Sequence, residues 1–304
     1  MVTSQLAGKN KSPKVSVCVM TYNQVRYIRQ CLQSLVDQET NFDFEVIVAD
    51  DCSADGTQEI VKEFGTRYPD CVRALLNETN LGPAGNYLQI HGLARGQYIA
   101  QMDGDDYALP GKLQAQADFL DQNPECNFVW HRMFVLYEAT GTMAEDLIRP
   151  ELLPKDGFTR GDLLRYITIG PNSAKMYRAT VRELDLPAFP VLDFFVNVDQ
   201  IGNGKAAFVG NEPLMVYRAR IGIASRGNFV SLSQKNSLIH YSSKYPEYCV
   251  QISTAAVGRL VVATMNRNWR DFIMFTGLLA RVFRFGSIRD ILTHWKFLMM
   301  FRLP

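Results

Sequence analysis

The chain has 304 residues, 47% of them hydrophobic and 21% charged, with a formal net charge of +1. This is the balance of a globular protein with a sizeable core, in one large domain or two smaller ones, and it gives no global positive field for nucleic acid. The cysteines Cys18, Cys31, Cys52, Cys71, Cys126 and Cys249 form no CxxC pair and have no histidine at finger-like spacing, so buried thiols in a reducing compartment are expected rather than zinc or a disulfide framework.

Residues 1–13 are polar and contain no apolar core of a signal peptide, and they are expected to be a flexible leader. Val15 to Met20 is a β-branched apolar run and predicts a first buried strand, ending in Thr21-Tyr22-Asn23. The spacing of Ile28, Cys31, Leu32 and Leu35 predicts a helix from about Gln24 to Asp37. Phe44 to Ala49 predicts a second strand, ending in Asp50-Asp51, and Asp55 with Gln58 reads as a capping box for a helix that buries Ile60, Val61 and Phe64. A third strand is expected over Val72–Leu76, a helix from about Ala84 to Ala94, and a fourth strand over Tyr98–Met102. Lys112 to Gln122 reads as a helix and Phe128 to Tyr137 as a strand. Residues 138–168 are irregular. Short strands are expected over Pro171–Tyr177 and Phe208–Tyr217, and helices from about Leu232 onward.

Repeated β-α units of this size argue for an α/β fold with a mostly parallel sheet and flanking helices. Such sheets bind ligands beyond the carboxyl ends of their strands. Thr21-Tyr22-Asn23, Asp50-Asp51 and Asp103-Gly104-Asp105-Asp106 all fall at such ends. Three crowded carboxylates repel one another unless a cation sits between them, and Mg²⁺ is commonly held by one or two carboxylates together with substrate phosphates. Asp106 can also be read as the cap of a helix beginning near Pro110.

Several of these motifs, taken in order, resemble a known family. Val17-x-x-Met20-Thr21-Tyr22-Asn23, the run Glu45 to Thr57, Asn80-Leu81-Gly82 through Asn86, and Gly96-x-Tyr98-Ile99 through Asp103-Gly104-Asp105-Asp106 with Lys112-Leu113-x-x-Gln116 resemble the family 2 glycosyltransferases of GT-A fold. The resemblance covers residues 14 to about 226. It implies an inverting transfer of a sugar from a nucleotide diphosphate donor, UDP- or dTDP-linked, to a hydroxyl of a glycan or lipid-linked acceptor. It implies that Thr21 and Tyr22 line the base pocket, that Asp51 accepts from the nucleobase N–H with Asp50 close by, and that Asn23, Asn86 and Gly104 belong to the donor site. Asp103 and Asp105 would hold Mg²⁺ or Mn²⁺, with Asp103 also near the ribose. Packing for Tyr22 and turn-capping for Asp50 are the alternatives.

The family's base is usually an Asp after an acidic residue at the start of a helix in the second half. This chain has no such pair there. Counting back from Tyr217-Arg218, Asp193 falls at that place, and its Leu and Phe neighbours would raise its pKa. Asp199 is the competitor, on another face of the same predicted helix. Where the family commonly has a histidine this chain has Arg220, either a fixed cation for the diphosphate or a surface arginine. Trp130, His131, Asn172 and Ser173 are weaker candidates near the acceptor side.

Trp269 to Arg302 mixes apolar residues with Arg270, Arg281, Arg284, Arg289, Lys296 and Arg302. It reads as an amphipathic helix pair on an anionic membrane surface, with a helical cover for the sheet or a contact between copies of the chain (a homo-oligomer) as alternatives. No stretch approaches 18 uncharged apolar residues, so no membrane-crossing segment is expected. The expected organisation is therefore 14–136 for the donor half, 137–230 for the acceptor half and 231–304 for a helical C-terminal region, in a cytoplasmic protein peripheral to the inner membrane face. The competing functional reading is an inactive nucleotide-sugar-binding module or scaffold.

Overall fold

The computed structural model describes residues 12–167, 169–219, 221 and 229–300. Among these, nine strands form one sheet. The first half alternates β1 (Val15–Thr21), α1 (Ile28–Val36), β2 (Phe44–Asp50), α2 (Thr57–Arg67), β3 (Val72–Leu76), α3 (Gly82–Leu93) and β4 (Tyr98–Asp103). β5 (Tyr107–Ala108), α4 (Lys112–Gln122), β6 (Cys126–Tyr137), β7 (Thr142–Glu145), α5 (Arg160–Tyr166), β8 (Met176–Arg178), α6 (Asp193–Gln200) and β9 (Lys205–Arg218) follow. Four helices end the described chain: α7 (Phe229–Lys244), α8 (Cys249–Met265), α9 (Trp269–Val282) and α10 (Gly286–Met300).

The sheet order is β3-β2-β1-β4-β8-β6-β9-β5, with β7 on β6. It is parallel from β3 through β4 and mixed beyond, since β8 runs antiparallel to both β4 and β6. Both faces of the parallel part are buried, which explains why its strands read as apolar runs rather than alternating ones. Val17, Val19, Val46 and Val48 pack with Ile28, Leu32 and Val61 of α1 and α2. Their neighbours Cys18, Ile47 and Ala49 point the other way, towards Ile90 of α3. The chain moves outward from β1 to β3 and then returns to β4 on the other side of β1. The strand order thus reverses between β1 and β4, where a crevice opens at the carboxyl ends.

The order of the first elements is as expected, with local differences. α1 begins at Ile28, because Gln24 to Tyr27 form a turn. α2 has no capping box. Gly56 is its N-cap in the left-handed region, and Asp55 instead accepts from Thr57 N at 3.0 Å and from Val25 N at 3.0 Å. Gln58 reaches back to Asp50 Oδ1 at 2.9 Å. The irregular stretch 138–168 contains β7 and α5, and α5 does carry a capping box, between Thr159 and Asp162. The segment Pro246–Met265, which carries Glu247 and Arg259, is long and apolar enough by composition to cross a membrane, and within it α8 packs on α5, α9 and α10.

Candidate active site

The acidic turn sits at the end of β4. Gly104 N donates to Met20 O at 2.9 Å and Asp106 N to Asp103 O at 3.0 Å, so the turn is pinned against β1. A Cβ on Gly104 would lie 2.5 Å from Gln24 Oε1 and 2.9 Å from Thr21 Oγ1, and only glycine permits that approach. Carboxylate oxygens of Asp103, Asp105 and Asp106 lie within 4.8 Å of one another. Burial, Asp105 and Asp193 push Asp103 up to about 7. Burial raises Asp105, opposed by the Arg218 charge and a hydrogen bond from Gln24. Burial and the other two carboxylates raise Asp106 well above its usual range. Clustered hard oxygens whose charges are this disfavoured fit a divalent cation, which would relieve all three.

Asp106 is not a helix cap. α4 starts after Gly111 in the left-handed region, with no side-chain cap. Asp106 instead accepts from Ser173 Oγ at 2.6 Å and from Arg218 N at 2.9 Å. With both its oxygens engaged, Asp103 and Asp105 are the members of the cluster that line the cavity. A second layer supports them. Ser173 Oγ accepts from Asp103 N at 3.0 Å, and Lys112 Nζ donates to Ser173 O at 2.8 Å. Lys112 also lies 2.7 Å from His131 Nε2, whose Nδ1 is 2.8 Å from Arg132 O. A protonated Nδ1 donating to that carbonyl leaves Nε2 to accept from lysine. Burial lowers Lys112 to about 7, opposed by Asp106.

The cavity has a volume of about 1130 Å³. Thr21, Tyr22, Asn23, Asp51 and Asn86 line it, as the resemblance implies for donor-site residues. Thr21 Oγ1 donates to Gln24 Oε1 at 2.8 Å. Asn23 adopts φ 52°, and its Oδ1 accepts from Ala54 N at 3.0 Å, clasping the loop after β2. Asp51 Oδ1 accepts from Leu81 N at 2.7 Å and from Asn77 Nδ2 at 3.3 Å. Asn86 Nδ2 donates to Ala49 O at 3.1 Å. Asp50 behaves differently from its neighbour. It is fully buried and outside the cavity wall, and its Oδ1 accepts from Ser53 N and Gln58 Nε2, each at 2.9 Å. It lies beneath the turn, outside the cavity wall that Asp51 lines.

Asp193 is the first residue of α6 and lines the cavity. Burial raises its pKa, opposed by the Phe194 N–H at 3.0 Å and by the Lys175 charge. Asp103 lines the same cavity, and the Asp193 charge helps to raise it. Asp199 faces away. Its Oδ1 accepts from Lys244 Nζ at 2.8 Å and Tyr245 OH at 2.9 Å, and its Oδ2 from Tyr241 OH at 3.0 Å. It fastens α6 to α7. Trp130 and His131 are buried and do not face the cleft, contrary to expectation, whereas Asn172 lines it. Arg220 lies outside the described residues. The sequence alone does not single out Arg218, two positions earlier, although Tyr217-Arg218 is the pair from which Asp193 is counted back. Arg218 lines the cavity, and its guanidinium donates to Asp105 O and to Glu138 Oε1, the latter at 2.7 Å.

A family model described as "Glycosyl transferase family 2" matches residues 16–181. The uncharacterized protein Rv1520 of Mycobacterium tuberculosis is 36% identical over 206 residues, which cover 67% of this chain and 58% of Rv1520. The chain thus spans less than two thirds of that relative's length. Staphylococcus aureus TarS 1–349, solved with UDP-GlcNAc, superposes with a TM-score of 0.64 at 18% identity, covering 94% of this chain and 88% of that one. The mannosyltransferase PcManGT of Pyrobaculum calidifontis, solved with GDP-Man and Mn²⁺, gives 0.53 at 17% identity, covering 96% and 86%. At these identities the two structures speak for the fold alone, and the GT-A architecture expected from the sequence is the one observed.

Proposed function

Because the chain belongs to glycosyl transferase family 2, we propose that it transfers a sugar, with inversion, from a UDP- or dTDP-linked donor to a hydroxyl of a glycan or lipid-linked acceptor. The setting of this reading is surface-glycan synthesis at the inner face of the cytoplasmic membrane. One observation carries it. A single cavity is lined by Thr21, Tyr22 and Asp51 on the β1–β2 side, by Asp103 and Asp105 at its floor, and by Asp193 across from them.

Asp51 has Oδ1 fixed by Leu81 N, which orients Oδ2 to accept from the imide N–H of uracil or thymine. Tyr22 is half-exposed at the rim, where its ring can cover the base. Asp103 and Asp105 would hold Mg²⁺ or Mn²⁺, which when bound neutralises charge on the diphosphate. That two fold relatives are solved with nucleotide sugars, one of them with Mn²⁺, supports this reading. Asp193 takes the acceptor hydroxyl proton as the acceptor oxygen bonds to the sugar's anomeric carbon. The bond from that carbon to the diphosphate breaks, and the diphosphate leaves with the electron pair. A desolvated carboxylate with a raised pKa is suited to this proton transfer.

The test is a thermal-shift panel of UDP, dTDP, GDP and CMP, each with and without Mn²⁺, on wild type and Asp105→Ala. Binding to the native state raises the midpoint by mass action. A metal-dependent shift with UDP or dTDP that is lost in Asp105→Ala is expected. No shift with any nucleotide would remove the donor site. Slow donor hydrolysis by wild type separates an enzyme from an inactive module.

A further inference from the structure

The cavity does not end at the acidic turn. It continues to α8 and α10, where Val261, Met265, Ile291 and Trp295 line it. Val261, Met265 and Trp295 are also exposed, so this end opens to the outside through an apolar rim. Gly258 lies in the same wall, and a Cβ there would meet nothing within 4 Å. A sugar and its nucleotide have no use for so apolar a surface.

Two arginines line the cavity at this end, and Arg165 is already paired with Asp290. Arg259 lines the cavity, its Nε is buried without a hydrogen-bond partner, and among the described residues it forms no ion pair. Its nearest aromatic neighbour is Phe275, 5.8 Å from Cζ to ring centroid. A half-buried arginine whose Nε has no hydrogen-bond partner and whose charge is met by Asp271 without an ion pair suits a phosphate, which takes its planar donors bidentately.

The outer face of α10 continues the apolar rim. Ile288, Leu292 and Trp295 recur at helical spacing and are exposed, Leu292 to 71%. Arg289 and Lys296 flank them. The one carboxylate of α10, Asp290, is turned inward and accepts from Arg165 Nε at 2.9 Å and Thr254 Oγ1 at 2.7 Å. An exposed apolar stripe edged only with cations complements an anionic bilayer.

We propose that the acceptor is a glycan carried on a lipid phosphate of an anionic membrane, with α10 resting on the bilayer, the first carbons of the lipid entering between α8 and α10, and Arg259 meeting the phosphate. This rests on reading the other end of the cavity as the donor site. The lipid anchor holds the glycan hydroxyl towards Asp193, and the lipid never has to leave the membrane entirely.

The test uses the full chain. Wild type is expected to sediment with phosphatidylcholine vesicles that contain phosphatidylglycerol and to stay in solution with phosphatidylcholine alone. Leu292→Glu, on an exposed position that folding does not need, should lose vesicle affinity by about tenfold or more. Farnesyl phosphate should raise the melting midpoint more than farnesol, and inorganic phosphate should not raise it. Arg259→Gln should erase the difference between the two farnesyl probes, Arg259→Lys should keep part of it, and Gly258→Leu should abolish both responses. The UDP–Mn²⁺ shift should persist in all four variants, so a missing shift in wild type defeats the donor reading and leaves the lipid result standing. Absence of vesicle binding by wild type, equal responses to farnesol and farnesyl phosphate, or an equal response to inorganic phosphate would each overturn the proposal.

Discussion

The backbone N–H of Arg218 donates to Asp106 Oδ1 at 2.9 Å, and this bond fastens the last strand of the sheet to the acidic turn at the end of β4. The same residue's guanidinium donates to Asp105 O and to Glu138, and lies 4.9 Å from the Tyr27 ring centroid and 5.0 Å from that of Tyr107. The turn is thus shaped from behind by an arginine 112 positions later in the chain. Asp106 serves that attachment, which leaves its two neighbours for the cavity.

Arg218→Met should therefore destabilise the fold by about 1–3 kcal/mol, because it removes the buried guanidinium's hydrogen bonds to Asp105 O, Gln30 and the part-exposed Glu138. Arg218→Lys should recover only part of this, since an ammonium cannot fill the planar fork. Urea midpoints check the stability. The UDP–Mn²⁺ shift of the Lys variant should be weakened as the turn loosens. A wild-type midpoint in Arg218→Met would refute the role assigned to the side chain.

Asp193→Asn should lower the transfer rate by roughly 10²–10⁴-fold, the usual worth of a positioned general base, while the nucleotide shift stays intact. Asp199→Asn should do the reverse. It weakens the anchors to Tyr241, Tyr245 and Lys244 and should cost about 1–3 kcal/mol of stability, with turnover per folded molecule kept. If Asp199→Asn were instead inactive and stable, the base would have been misassigned.

The pH profile carries the same assignment. Burial raises Asp193 from its ordinary value, and a base must be ionised to accept a proton. The acidic limb of kcat/KM should then lie above about pH 4, the value of an unperturbed aspartate, and the rate should fall as pH drops through it. Residual activity of Asp193→Asn should lack that limb.

Lys175 offers a stability test. Its ammonium is buried and donates to Asn197 Oδ1 and Gln200 Oε1, and burial lowers it to about 7, opposed by Asp193. The unfolded chain holds that proton up to about pH 10.4, so between pH 7 and 10 the unfolded state binds more protons and stability rises with pH. Below pH 7 the effect is flat. Relative to Lys175→Met, wild type should gain up to about 1.4 kcal/mol per pH unit from pH 7 to 9. Denaturation curves of the two proteins that stay parallel across that window would exclude the buried lysine as the source.

The sequence shows much of the donor side because its signals are local. The runs at β1, β2 and β4 are mostly apolar, with Ser16, Glu45 and Gln101 as the polar exceptions, and each is followed at once by polar residues. Asp50 and Asp51 mark the limit of that legibility. They are adjacent and chemically identical, and their fates diverge because the turn that follows, with Cys52 at φ 64°, sends one carboxylate beneath Ser53 and the other towards Leu81. Asp106 and Arg218 could not be paired from sequence, since nothing local announces their contact. Trp130 and His131 differ for the opposite reason. Their place in a strand is legible, but packing on both faces of β6 buries them.

The register of the sheet has a metrical consequence. Thr21 pairs with Asp50 across β1–β2, and Met20 with Asp103 across β1–β4. Adjacent strands are about 4.8 Å apart, so Asp51 and Asp103 are stationed two rungs apart by backbone hydrogen bonds that no side-chain substitution alters. On the donor-site reading, the interval between nucleobase and diphosphate is gauged by the ladder itself. Evolution can then exchange the base recognised, by changing what Asp51 and Tyr22 present, without recalibrating where the reacting bond falls.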